Sequence, residues 1–101
     1  MLKIKKLQEG NNVLFQLEGK LDTTTAPDLN AAISSCHGDF QDLILDFEKL
    51  ESLSSAGLRV LLFTHQGMKD GQRLLLKKVP ELILDILEIT GFTDILNIEQ
   101  E

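Results

Sequence analysis

Between residues 43 and 98, short apolar runs alternate with segments of helical periodicity, and few folds accept that order. "LILDF" (43–47) and "RLLLKKV" (73–79) are runs of strand length, too short for buried helices. Between them, a stretch headed by Ser54-Ser55 places Leu58, Leu61 and Leu62 at helical spacing and continues to about Lys69, near "KDGQ". Pro80 opens a second helix, "ELILDILEIT", with Gly91 at the C′ position where a left-handed residue ends a helix. "DILNI" (94–98) supplies a last short strand. Strands separated by helices pair in parallel through right-handed crossovers.

The first half adds a different unit. "LKIKKL" reads as an edge strand, "EGNN" as a turn, and "VLFQLEG" alternates Val13, Phe15 and Leu17. These form an antiparallel hairpin. In "LDTTTAPDLNAAISSC", Thr25 and Asp28 have the spacing of a capping box and Pro27 falls in the first turn. Leu29, Ala32, Ile33 and Cys36 then mark a helix face, which "HGDFQD" ends. The expected fold is one α/β domain over residues 1–101. It has a mixed sheet of four to five strands, an N-terminal antiparallel hairpin and three main helices.

Charge and composition exclude several functions. With 43% hydrophobic residues the chain can form a core, and a formal charge of −6 opposes a nucleic-acid grip, which needs clustered Lys and Arg. No apolar run reaches the ~20 residues of a membrane span, and "MLKIKKLQEG" lacks the apolar centre of a signal peptide. The expected location is the cytoplasm, in agreement with a single cysteine, Cys36. Cys36 and His37 have no companion ligand pair, so no metal and no cofactor are expected.

Ser54-Ser55 admits three readings. The first is an ordinary N-cap, because a serine oxygen accepts an amide of the next turn. The second is a nucleophile. It needs a base, yet His65 lies ten residues beyond Ser55, roughly 15 Å along the same helix. His37 sits in a loop, and no G-x-S-x-G pattern is present. The third is a phosphoacceptor, because a helix N-terminus accommodates added negative charge. Gly57 either thins the helix start for a partner or packs tightly under the loop. Asp22 either sits beside the serines or starts the Asp-Thr-Thr turn by bonding its amides. Arg59 lies one turn from Ser55, facing a partner or solvent. Val60 and Phe63 fall off the main apolar stripe, either under the third helix or as a contact surface.

"LILDFEKLESLSSAGLRVLL", with the upstream "LEGKLDTTTAPDL" and the later "ITGF", resembles the STAS domain, in particular the small stand-alone anti-sigma factor antagonists. The resemblance spans nearly the whole chain. It implies a phosphoacceptor at Ser55, with Ser54 as the alternate because Ser54 stands where better-known members carry Asp. It also implies a partner face of Asp22, Thr23, Ser54, Ser55, Ala56, Gly57 and Arg59. The implied partners are an anti-sigma factor serine kinase that uses ATP and a PP2C-type phosphatase. Neither nucleic acid nor membrane is bound, and the chain does no chemistry itself. The alternative is a STAS subunit of a transport assembly, such as an ABC-type lipid-trafficking system, or of a signalling assembly, in which the serine is structural.

Overall fold

The computed structural model describes residues 1–36 and 40–99. His37, weighed above as a base or ligand, lies outside them. In chain order the elements are β1 (Leu2–Glu9), β2 (Asn12–Leu21), α1 (Ala26–Ser34), β3 (Asp42–Leu53), α2 (Ser55–Gln66), β4 (Arg73–Lys77), α3 (Glu81–Ile89), a 3-10 turn (Phe92–Asp94) and β5 (Asn97–Glu99). The strands lie in the order β1-β2-β3-β4-β5. The first pair is antiparallel and the other three are parallel. The expected mixed sheet, hairpin and three helices are all present.

Each parallel strand is added on the same side of its predecessor. Right-handed crossovers in a constant direction put all three helices on one face of the sheet. The main core lies under them: Phe15, Leu17 and Leu21 of β2, Leu43, Leu45 and Phe47 of β3, and Leu74 and Leu76 of β4 meet Leu29, Leu61, Ile83 and Leu87 of the helices. Among the described residues the opposite face has no helix. There Leu14 pairs with Ile44, and Ile44 with Leu75. Leu75 is nevertheless buried. Its strand neighbours Arg73 and Lys77 point to the same face and hold ion pairs, Arg73 to Asp42 at 3.1 Å and Lys77 to Glu99 at 3.8 Å.

β3 is much longer than the 43–47 expected. Between the pairs Gln16↔Asp46 and Glu18↔Lys49, β3 places three residue steps against two of β2. Between Gly19↔Leu50 and Lys20↔Ser52 it places two against one. Each extra residue is a bulge that resets the alternation. The buried positions therefore run Leu43, Leu45, Phe47, Leu50, Leu53, with the later ones three apart. Asp46, itself buried, accepts the Glu48 amide at 2.9 Å within the first bulge. No loop separates this strand from the serines.

Three smaller expectations are corrected. The Thr25–Asp28 capping box does not form. Thr25 has helical backbone angles and makes no side-chain cap. Its hydroxyl points back at the strand, donating to the Lys20 carbonyl at 2.8 Å and accepting from the Asp22 amide at 2.9 Å. α2 ends at Gln66 rather than near Lys69, because the Gly67 amide is shared between the Phe63 and Thr64 carbonyls. β4 stops at Lys77, and Lys78 turns the chain with a φ of 55°. Pro80 then precedes α3 in an extended conformation, and its carbonyl accepts from the Leu84 amide at 2.8 Å. Gly91 does end α3 in the left-handed region, with a φ of 80°.

Candidate functional site

β2 and β3 end side by side, and this brings the two loops of interest together. Leu21 pairs with Leu53, the last residue of each strand. The Ser54 amide donates to the Leu21 carbonyl at 2.9 Å. The Asp22 turn and the Ser54-Ser55 helix start therefore leave the same edge of the sheet as neighbours.

The two serines have different tasks. Ser54 has an extended backbone, with φ −95° and ψ 173°. Its carbonyl accepts the first intrahelical bond, from Leu58, at 3.0 Å. Its hydroxyl oxygen accepts from the Gly57 amide at 3.4 Å, a long cap. Ser55 is the first residue of α2 and is exposed. Among the described residues its hydroxyl has no hydrogen-bond partner. Replacing Ser54 by alanine should cost about 0.5–2 kcal/mol, the usual range for a lost cap. Ser55→Ala should stay within about 0.5 kcal/mol. Thermal melts followed by circular dichroism separate the two, since the chain carries neither Trp nor Tyr.

Asp22 opens a tight turn. One carboxylate oxygen accepts the Thr24 amide at 2.9 Å and the Thr25 amide at 3.1 Å. The Thr25 amide foremost holds the carboxyl below its ordinary value of 3.8, against the opposing effect of desolvation and with help from the Thr24 amide and the Thr25 hydroxyl. A carboxyl whose folded value is depressed adds stability that is fully present above its unfolded value and lost as pH falls through the folded one. Wild type should therefore melt above Asp22→Asn at neutral pH. The gap should begin to narrow below about pH 4, the ordinary carboxyl range, and vanish once pH has fallen through the depressed folded value. A gap that persists at low pH would mean that the ionised form is not what the turn favours. Thr23, at the tip of this turn, is exposed.

Gly57 is buried and packs tightly against the strand ends. A β-carbon there would lie 2.7 Å from Leu53 Cδ1 and 2.8 Å from Leu21 Cγ. Leu53 can yield at its flexible tip. The fully buried Leu21 meets the new carbon with its branch point and cannot. Alanine gains about 0.8–1.0 kcal/mol of helix propensity over glycine, but overpacking costs about 1–3 kcal/mol. Gly57→Ala should therefore destabilise, by up to about 2 kcal/mol in urea unfolding. Beyond it, Ala56 is half-buried and Arg59 is exposed.

The exposed members of the implied partner face are thus Thr23, Ser55 and Arg59, with Asp22 and Ser54 half-buried among them. The Thr25 hydroxyl, expected in a capping box, instead ties the Asp22 turn to β2. Among the described residues no three His, Cys, Asp or Glu side chains are grouped to hold a metal ion. No helix among them is long and apolar enough to cross a membrane.

Comparison with known proteins places this geometry in context. No curated protein matches significantly. The fold is similar to that of an anti-sigma factor antagonist from Mycobacterium paratuberculosis, with a TM-score of 0.89 and 20% identity over 97% of this chain and 85% of that one. It is also similar to the anti-sigma factor antagonist SpoIIAA in its unphosphorylated form, with a TM-score of 0.84 and 18% identity over 98% and 88%. A sulfate transporter family protein from Wolinella succinogenes has a TM-score of 0.78 and 19% identity over 91% and 76%. At these identities the likeness is one of fold. The model of the STAS domain family matches residues 3–101, and the chain belongs to that family.

Proposed function

We propose that this chain is an anti-sigma factor antagonist working in a phosphorylation-controlled partner switch. Unphosphorylated, it binds an anti-sigma factor that is also a serine kinase using ATP, and so frees the sigma factor. Phosphorylation of Ser55 ends the complex, and a PP2C-type phosphatase restores the free hydroxyl. The chain is then a cytoplasmic ligand and substrate with no reaction or cofactor of its own.

The observation that carries this reading is the division of labour between the serines. Ser54 gives its oxygen to the helix cap, which leaves the exposed Ser55 hydroxyl without a structural duty. A phosphate on Ser55 adds about −1.5 to −2 charges at a helix start, where amides and dipole tolerate it. The fold can persist while the surface changes sign. Thr23 and Arg59 are the exposed neighbours that a docking kinase meets. The test is co-elution with the host's candidate anti-sigma kinase. The unphosphorylated protein should travel with it and separate after incubation with ATP. Failure to co-elute in either state would reject the reading.

A role in a transport assembly has one observation behind it, the likeness of fold to a sulfate transporter family protein. On that reading Ser55 carries no phosphate and its replacement leaves assembly unchanged.

A further inference from the structure

α3 carries more apolar surface than its core contacts use. Ile83 and Leu87 are buried beneath it. On the outside, Leu82 is 65% and Ile89 85% exposed. Seven residues apart on a helix of 3.6 per turn, they lie on one line. Ile86, half-buried, continues that line into the core. Single exposed apolar residues are ordinary, but an aligned pair joined to a third forms a patch.

The charges beside this line all have one sign. Glu81, Asp85 and Glu88 are exposed and fall along a single flank, about 60–120° round the helix from Leu82 at ~100° per residue. Among the described residues none of the three is in an ion pair. We propose that the outer face of α3 is a docking surface for a protein partner that presents an apolar groove rimmed by Lys and Arg. An amphipathic helix laid in a groove is a common recognition mode, with anchors at i, i+4 and i+7 as here. Charge selects the occupant. Anionic lipid headgroups repel three carboxylates. An antiparallel pairing of two α3 helices across a twofold axis sets the acidic flanks side by side. A basic rim neutralises them. This surface is built from α3 residues and does not include Ser55, so it stands whether or not Ser55 is phosphorylated.

The probe is a synthetic amphipathic peptide with a leucine stripe flanked by lysines, titrated into the 15N-labelled full chain. Two control peptides carry glutamate flanks or a serine stripe. Amide shifts should concentrate on α3 for the lysine-flanked leucine peptide alone. The double variant Leu82→Gln/Ile89→Gln should bind it at least tenfold more weakly while melting close to wild type, since both side chains are largely exposed and Gln is a good helix former. Equal binding by the double variant, or shifts elsewhere, would overturn the proposal. So would binding of either control peptide at α3. Light scattering and flotation with phosphatidylserine vesicles cover the other occupants. A wild-type dimer abolished by the double variant would assign the surface to a second copy. Vesicle binding lost in the variant would assign it to a membrane.

Discussion

Ser55→Asp should bind the proposed partner kinase at least tenfold more weakly than wild type, a difference of about 1.4 kcal/mol, whereas Ser55→Ala should bind as wild type does. The expectation follows from where the side chain lies. Ser55 is exposed at the first position of α2 and its hydroxyl has no hydrogen-bond partner among the described residues, so alanine removes nothing that the fold uses. Aspartate adds a charge to a surface that must lose water on docking, and both desolvation and like charge on the partner oppose it. The acidic mimic has about half the charge of phosphate at neutral pH, so true phosphorylation should weaken binding further. Isothermal titration of the three proteins against the kinase measures this. Equal affinity for all three would remove Ser55 from the contact.

Phe47→Ala should be the most damaging single change to the fold, at about 3–5 kcal/mol. A small domain has only about 5–15 kcal/mol in all. Phe47 is fully buried and is one of the two largest side chains in that class, with Phe15. It lies at the first bulge of β3, which keeps it inward and lets Leu50 and Leu53 follow at three-residue spacing. Glu48→Ala, one residue on and exposed, should change stability by less than about 0.5 kcal/mol. Urea unfolding of the pair reads the register directly. Similar effects at both positions would mean that the inward set is wrong.

That bulge also explains what the sequence concealed. Strict alternation ends at Phe47, so a period-two reading stops there and leaves "EKLESL" as a loop. The two extra residues that carry β3 on to Leu53 are fixed by pairing with β2, a partner some thirty positions away in the chain. Local rules failed for a similar reason at Thr25. Its spacing from Asp28 suits a capping box, but the hydroxyl finds the Lys20 carbonyl, which only the folded turn brings near. Where a feature depends on its own neighbours, the residues were sufficient. The parallel order of the second half, the Gly91 helix end and the Ser54 cap all follow from local chemistry. At the candidate site, the start of α2 at the serines was legible for that reason, whereas the choice of Ser55 as acceptor came from the family resemblance alone. The adjacency of that helix start to the Asp22 turn was not legible, because it depends on the Leu21–Leu53 pair and the Ser54 amide bond to Leu21. Asp22 builds the turn by accepting the Thr24 and Thr25 amides, and pairing of the strand ends sets that turn beside the serines.

The assignment of cap and acceptor is tested most directly by mapping phosphate on the wild-type chain after treatment with the proposed partner kinase and ATP. Ser54 has its oxygen turned to the Gly57 amide, while Ser55 faces solvent. Fragment mass spectra should place a single phosphate on Ser55, with incorporation kept in Ser54→Ala and abolished in Ser55→Ala. Phosphate on Ser54, or none on either serine from a kinase that binds the chain, would contradict it.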